Sequence, residues 1–270
     1  MTSPTVRGLS LATFFLVSAC ASEPASEPAC DEPAELQMEE AIDLYLDAWA
    51  LEDPSERACA LQRSLDPDVT LLGAGGPIEG RAAVVDALDA RIEATHGAGD
   101  MRDVEGDVGV RHHEARLAWS SSVESGEEWL ELGEDGRLLR IHVLAGAGEG
   151  SSPGDALLRW RDAWNADDDA ARVSALEDAA TEDIRFTDLL TDVQSREALA
   201  TEIERQRSLF AATLVLDDSV EVFAFDGQAP TLLKIGGRLV LEEGEPLEFI
   251  DYVRLRDGRI ERLSGFPVAP

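Results

Sequence analysis

The chain has 270 residues, 44% of them apolar and 6% aromatic, with 23 basic against 55 acidic side chains for a net charge of −32. That composition describes globular protein in about two domains and excludes a fibrous or wholly disordered chain. The charge repels polyanions and anionic lipid surfaces, which excludes nucleic acid as a partner and leaves any membrane attachment to another device.

Residues 1–19 supply such a device. Arg7 precedes an apolar run from Leu9 to Val17 that is too short to span a bilayer, and the small residues Ser18-Ala19 lead into Cys20. Val17-Ser18-Ala19-Cys20 resembles the lipobox of bacterial lipoproteins. The resemblance implies a signal peptide over 1–19, cleavage before Cys20, diacylglycerol on its sulfur, and a membrane-anchored chain in the cell envelope. Ala21, which is not acidic, points within that resemblance to the outer membrane over the inner where a cell has two. An ordinary secretory signal is the alternative. Residues 20–36 are rich in Ser, Glu and Pro and read as a disordered tether. Outside the cytoplasm Cys30 and Cys59 could pair; equally, Cys59 could be a small buried apolar residue.

Beyond the tether the sequence is written twice. A shift of 115 residues superimposes Asp47-Ala48-Trp49 on Asp162-Ala163-Trp164, and matches Asp53 with Asp168, Arg57 with Arg172, Asp68 with Asp183 and Arg81 with Arg196, in all ten identities over 37 ungapped positions. Residues found in both copies belong to the shared scaffold, and function is sought where the copies differ. Domain one is placed at 37–147 and domain two at 154–270, joined by a Gly/Ser/Pro-rich linker at 148–153. Apolar residues three or four apart predict a helix around Trp49 and Trp164, a second through Leu61 and Leu176, and a third from Arg81 and Arg196. Strands follow, near 108–123, 126–133 and 137–144 in the first copy, and near 213–225, 230–242, 247–256 and 259–265 in the second. Asp135-Gly136 and Asp257-Gly258 read as matching hairpin turns. Helices followed by a run of antiparallel strands define an α+β fold class, with helices laid on one side of a curved sheet.

Trp49, Leu65, Pro67-Asp68-Val69, Gly80-Arg81, Arg116 to Trp119 and Asp135 to Ile141 together resemble the SnoaL-like branch of the NTF2-like superfamily. The likeness covers nearly all of domain one; domain two keeps the front half and the last hairpin but has Ser195 where domain one has Gly80. It implies two cone-shaped domains, each a bent antiparallel sheet wrapped on N-terminal helices with a pocket at the wide end. Enzymes of that superfamily use pocket carboxylates.

Two acids fit such a role. Phe249, Asp251 and Val253 alternate onto one apolar strand face, as do Glu128, Leu130 and Leu132. A carboxyl on an apolar concave face has its ionised form disfavoured and can exchange protons near neutrality, so Asp251 and Glu128 are the candidate catalytic residues. The competing reading pairs them with arginines such as Arg116 or Arg238. Tyr252 falls on the face opposite Asp251. Candidate pocket residues are Trp49, Trp164, Trp119, Phe249 and, on the same strand side as Trp119, His113; helical spacing equally suits the first two to the core. His112-His113-Glu114 cannot hold one ion if it lies on a strand, because neighbours there point to opposite faces, so neither metal nor cofactor is expected. Three functions remain in play: an envelope lipoprotein binding a small apolar ligand or an envelope protein, an isomerase, cyclase or hydrolase with a carboxylate as general acid/base, or an intrachain pseudo-dimer acting as scaffold.

Overall fold

The computed structural model describes residue 30 and residues 35–268, apart from 74, 98–101, 123, 147–148, 227–228 and 243. The expected signal peptide, Cys20 and most of the expected tether lie outside the described residues. Among the described residues no helix is long and apolar enough to cross a membrane.

Domain one runs α1 (Met38–Ala50), α2 (Pro54–Ser64), β1 (Leu65–Leu72), β2 (Ile78–Glu79), α3 (Arg81–Gly97), β3 (Asp103–Arg111), β4 (Glu114–Ser120), β5 (Ser125–Leu132) and β6 (Leu138–Ala145). After a short β7 (Glu149–Ser151), domain two repeats the order as α4 (Asp155–Asn165), α5 (Asp169–Ala179), β8 (Ala180–Thr187), β9 (Asp192–Gln194), α6 (Arg196–Phe210), β10 (Thr213–Asp226), β11 (Ala229–Val240), β12 (Leu247–Arg256) and β13 (Arg259–Pro267). The sheets are ordered β2-β1-β6-β5-β4-β3 and β7-β10-β11-β12-β13-β8-β9, antiparallel except where β1 meets β6 and β8 meets β13. Register shifts between β3 and β4, and between β10 and β11, mark where the long strands bend.

The residues shared by the copies do the same structural work twice. Asp53 and Asp168 cap α2 and α5 by accepting from backbone N–H groups of the first turn. The buried guanidinium of Arg57 donates to the Leu51 carbonyl, and that of Arg172 to the matching Ala166 carbonyl. Arg81 reaches the Gln62 carbonyl near the end of α2, and Arg196 reaches Glu177 near the end of α5. Each ties off helix carbonyls that have no intrahelical donor. Trp49 and Trp164 are buried in their cores.

One shared position is strained. Gly80 enters α3 with φ +85, and Ser195 enters α6 with φ 98, in a region that suits glycine. The Ser195 hydroxyl accepts from Ala198 N–H at 3.3 Å, a cap that glycine replaces at a cost of only a few tenths of a kcal/mol. Ser195→Gly is therefore expected to stabilise domain two by about 1 kcal/mol, read as a melting temperature about 3 °C higher. A lower melting temperature would refute the strain argument.

The two sheets pack against each other through the faces that look away from their helices. Trp129 and Leu144 of domain one meet Leu232, Tyr252 and Phe266 of domain two in a separate apolar cluster. Trp129 stacks on His142 at 4.2 Å, and Tyr252 meets Phe266 edge-on at 5.7 Å. Around this cluster runs a belt of ion pairs between the domains. Arg262 grips Glu114, Arg254 reaches Glu131 at 2.8 Å, and Lys234, the one lysine of the chain, reaches Glu127 at 2.9 Å. Tyr252 also donates to Glu127. Burial works against ionisation of Glu131, but the His142 hydrogen bond and the charges of Arg262 and Arg254 outweigh it and hold its pKa well below the usual range. Burial pushes the His142 imidazole down to about 4, so it is neutral in the fold. The two sheets thus meet face to face across this apolar cluster and its belt of ion pairs.

Four sequence expectations change. The strand expected through 108–123 breaks at residues 112–113: His112 takes φ 48 and, with His113, forms the exposed turn between β3 and β4. The linker at 148–153 contains β7, which pairs with β10 and so adds an edge strand to domain two. The tether ends sooner than residue 36, because Leu36 is buried in the core of domain one and its N–H donates to the Asp135 carbonyl beside Gly136. The two Asp-Gly turns also differ. Asp257 and Gly258 both have positive φ and join their strands directly, whereas only Gly136 does in the first copy, within the longer turn closed by Gly133 N–H to the Arg137 carbonyl.

Cys30 and Cys59 form a disulfide across 29 residues, fastening the tether to α2. Closing such a loop in the unfolded chain is worth about 3.5 kcal/mol. Cys59→Ser should lower the urea midpoint of domain one accordingly and remove its sensitivity to reductant; an unchanged midpoint would show that the bond does not constrain unfolding.

Candidate functional site

The helix-facing side of each sheet forms the inside of a cone, and the paired acids occupy the same place in both. Glu128 pairs across the ladder with Leu117 and Val143, and Asp251 pairs with Ile235 and Gly265. The neighbouring inward pairs, Leu130 with Ile141 and Val253 with Leu263, fix that equivalence.

In domain one the position is filled. Glu128 is wholly buried, accepts from the Tyr45 hydroxyl at 2.9 Å, and lies 3.0 Å from a guanidinium nitrogen of Arg102. The arginine approaches at an angle that makes this an ion pair and not a linear hydrogen bond. Its guanidinium sits over Trp49 at 4.2 Å and over Trp119 at 4.4 Å, and Arg91 adds a second cation at 5.6 and 5.0 Å from the same rings. Burial, then the adjacent Glu128 charge, push the Tyr45 hydroxyl far above its ordinary range, so it stays a donor. Trp49, Trp119 and Glu128 are therefore brought together, around the protein's own arginine.

Domain two keeps the acid and loses the cation. Asp251 is 5% exposed and makes no hydrogen bond or ion pair among the described residues. Burial, and then the nearby charge of Asp188, push its pKa up to about 8. Asp188 itself accepts from the N–H groups of Leu190 and Thr191 and from the Gln206 side chain at 2.7 Å. Gly265 leaves room for the acid: a Cβ there would stand 2.9 Å from an Asp251 carboxyl oxygen, where domain one has Val143. Phe249 and Trp164 both belong to the core lining this cone.

Of the residues chosen from sequence, His113 is the clear misassignment. It lies exposed in the β3–β4 turn and does not line the cone, because the chain reverses there instead of continuing as strand. Neither acid pairs with the arginine expected: Arg116 goes to Glu127. Arg102, Asp188 and Gln206 were missed. Arg102 precedes β3, outside any periodic segment, and no spacing rule brings it back to Glu128. Among the described residues no group of three metal-binding side chains occurs. Two surface clefts, of about 430 and 490 Å³, lie beside Arg196 and Arg81 at matching places outside the cones.

The fold and site define a two-domain α+β protein built of paired cones, one plugged by its own arginine and one with an unpartnered acid. Comparison with solved structures finds likenesses that each cover one domain's share of the chain. A SnoaL-like family protein from Agrobacterium tumefaciens is 26% identical over 42% of this chain and 95% of its own, with a TM-score of 0.37. NTF2-like proteins of unknown function from Mesorhizobium loti and Cytophaga hutchinsonii are 19% and 15% identical over 43% and 42% of this chain and 95% and 88% of theirs, with TM-scores of 0.34 and 0.32. No protein-family profile and no curated protein matches the chain.

Proposed function

We propose that this chain is a lipoprotein of the cell envelope, anchored through Cys20, in which domain two binds a small, largely apolar ligand while domain one is a filled partner that supports it. The observation carrying the reading is the contrast between two equivalent acids: Glu128 is partnered within the protein by Arg102 and Tyr45, and Asp251 has no such partner among the described residues. A buried polar group without a partner costs stability, so a site that retains one has a use for it.

The rim of domain two supports the same conclusion. Leu189, Leu190, Leu209, Phe210 and Leu247 are exposed at the end of the sheet away from the Asp257-Gly258 turn, Leu209 and Leu189 to about 60%. Gln206, one turn before Leu209 and Phe210, reaches Asp188 beside Leu189, which brings these segments together. At the matching places in domain one stand Ala74, Gly75, Ala94, Thr95 and Glu124. Exposed apolar side chains gathered beside a buried acid mark a surface built to be covered.

A second reading is favoured by the raised Asp251 pKa. An acid that titrates near 8 can pass a proton to and from a substrate, as in isomerases, cyclases or hydrolases of this kind of fold. Native mass spectrometry of protein taken from its own envelope tests the binding reading. A small molecule retained by the wild-type chain and missing from Asp251→Asn is expected; empty protein in both preparations would count against it.

A further inference from the structure

Resting on the reading of domain two as the ligand-binding half, we infer that its ligand carries a monovalent organic cation, an ammonium or guanidinium on an apolar body, seated against Asp251 beside Trp164 and Phe249. The reasoning comes from what occupies the same place in domain one. There the cation is internal: the Arg102 guanidinium lies between Trp49 and Trp119 against Glu128.

Each wall of that cage has a counterpart in domain two. Trp164 stands 115 residues after Trp49, and Asp251 takes the register position of Glu128. The second aromatic wall is preserved by exchange across the strands. Trp119 on β4 covers Gly126 on β5, where a Cβ would meet its ring at 2.9 Å; in domain two the glycine is Gly237 on β11 and the ring is Phe249 on β12, at 2.5 Å. An aromatic–glycine pair at the same crossing leaves the ring on the same inward face.

The cations themselves are not preserved. By the same register, in which Leu216 lies opposite Gly237 as Val104 lies opposite Trp119, the buried Leu214 stands where Arg102 stands. Gln206 replaces Arg91, and Asp188 replaces Gly73, each 115 residues on. Domain two has thus lost two positive charges around the cage and gained a negative one. Glu202 is committed to Arg205 and Gln206. Arg111 faces Asp188 from domain one, with its guanidinium donating to the Gly265 carbonyl and lying over Phe266. Asp251 is thus a buried acid at the place of Glu128 with no counterpart of the Arg102 cation, which a ligand cation held between the rings would supply. The exposed leucines of the rim then cover the apolar body of the ligand.

The test is calorimetric titration of the full chain at pH 7 with hexylguanidinium and with its neutral counterpart hexylurea. One hexylguanidinium per chain is expected, bound at least tenfold tighter than hexylurea. Asp251→Asn should weaken the guanidinium at least tenfold while keeping its folded signal, and Leu214→Arg, which puts a cation where Arg102 carries it, should abolish binding in protein that keeps the same signal. If both probes bind equally at a site that needs Asp251, the cation is overturned and ligand binding survives. If neither binds, both fall. If guanidinium affinity is the same in Asp251→Asn, the cation is held by the acidic surface and the inference fails.

Discussion

Arg262→Met is expected to destabilise the chain by about 3–5 kcal/mol at pH 8. Arg262, Glu114 and Glu131 are each no more than 3% exposed, and the arginine of domain two holds Glu114 of domain one while lying 3.8 Å from Glu131. Without it Glu131 keeps Arg254, Arg140 and His142, but Glu114 is left as a buried carboxylate with no ion pair. Burial already pushes the Glu114 pKa above its ordinary range despite Arg262 beside it. In the variant it can escape by taking up a proton, so the loss should shrink at pH 5. The double variant Glu114→Gln with Arg262→Met removes both charges and should recover more than half of the loss. Urea unfolding followed by tryptophan fluorescence at both pH values reads all of this. Strictly additive single effects would mean that the two side chains do not act as a pair.

The same belt favours the pairing of these two unlike sheets within one chain. A sheet face carrying Trp129, Leu144, Glu127 and Glu131 needs a complementary face with Leu232, Tyr252, Lys234 and Arg254, and the two copies have diverged to supply opposite halves. Domain one brings the acids and domain two the bases. Charge complementarity of this kind favours the pairing of unlike domains and disfavours two copies of domain one meeting face to face.

That interface was the part of the fold least visible in the sequence. Alternation on β5 and β12 correctly put Glu128 and Asp251 inward, and helical spacing put Trp49 and Trp164 in the cores, because those patterns record burial against the chain's own helices. Glu127, Glu131, Arg254 and Arg262 alternate to the other face, where a polar residue reads as solvated. Period-2 patterning cannot tell a face wetted by water from one matched by opposite charges. The β3–β4 turn was missed for a related reason: it carries His112 at positive φ without the Gly, Asn or Asp that usually signals one. The cage required tertiary structure outright, since Arg102 reaches Glu128 from outside any periodic element, and the exchange of Trp119 with Gly126 for Gly237 with Phe249 hides the equivalence from residue-by-residue alignment.

Asp251→Asn should be markedly more stable than the wild type in mild alkali. Folded Asp251 titrates at about 8, against about 3.9 in an unfolded chain. Between those values the folded state holds a proton that the unfolded state has released, so wild-type stability falls as pH rises, by about 1.4 kcal/mol per unit at most. Asparagine has nearly the same shape and nothing to ionise. The difference between variant and wild type should therefore be small at pH 4, grow through neutrality, and level off above pH 8 at up to about 6 kcal/mol. Taking the difference matters because His142 tilts the wild-type profile the other way: its folded pKa of about 4 lies below the unfolded value, so its contribution is present above about pH 6.5 and lost as pH falls toward 4. That contribution is common to both proteins and cancels. A pH-independent difference would mean that Asp251 ionises normally, through a partner or solvent, and would remove the physical basis for a site in domain two. A difference that closes when a cationic ligand is added would show instead that the cost of the unpartnered acid is recovered on binding, as it is permanently in domain one by Arg102.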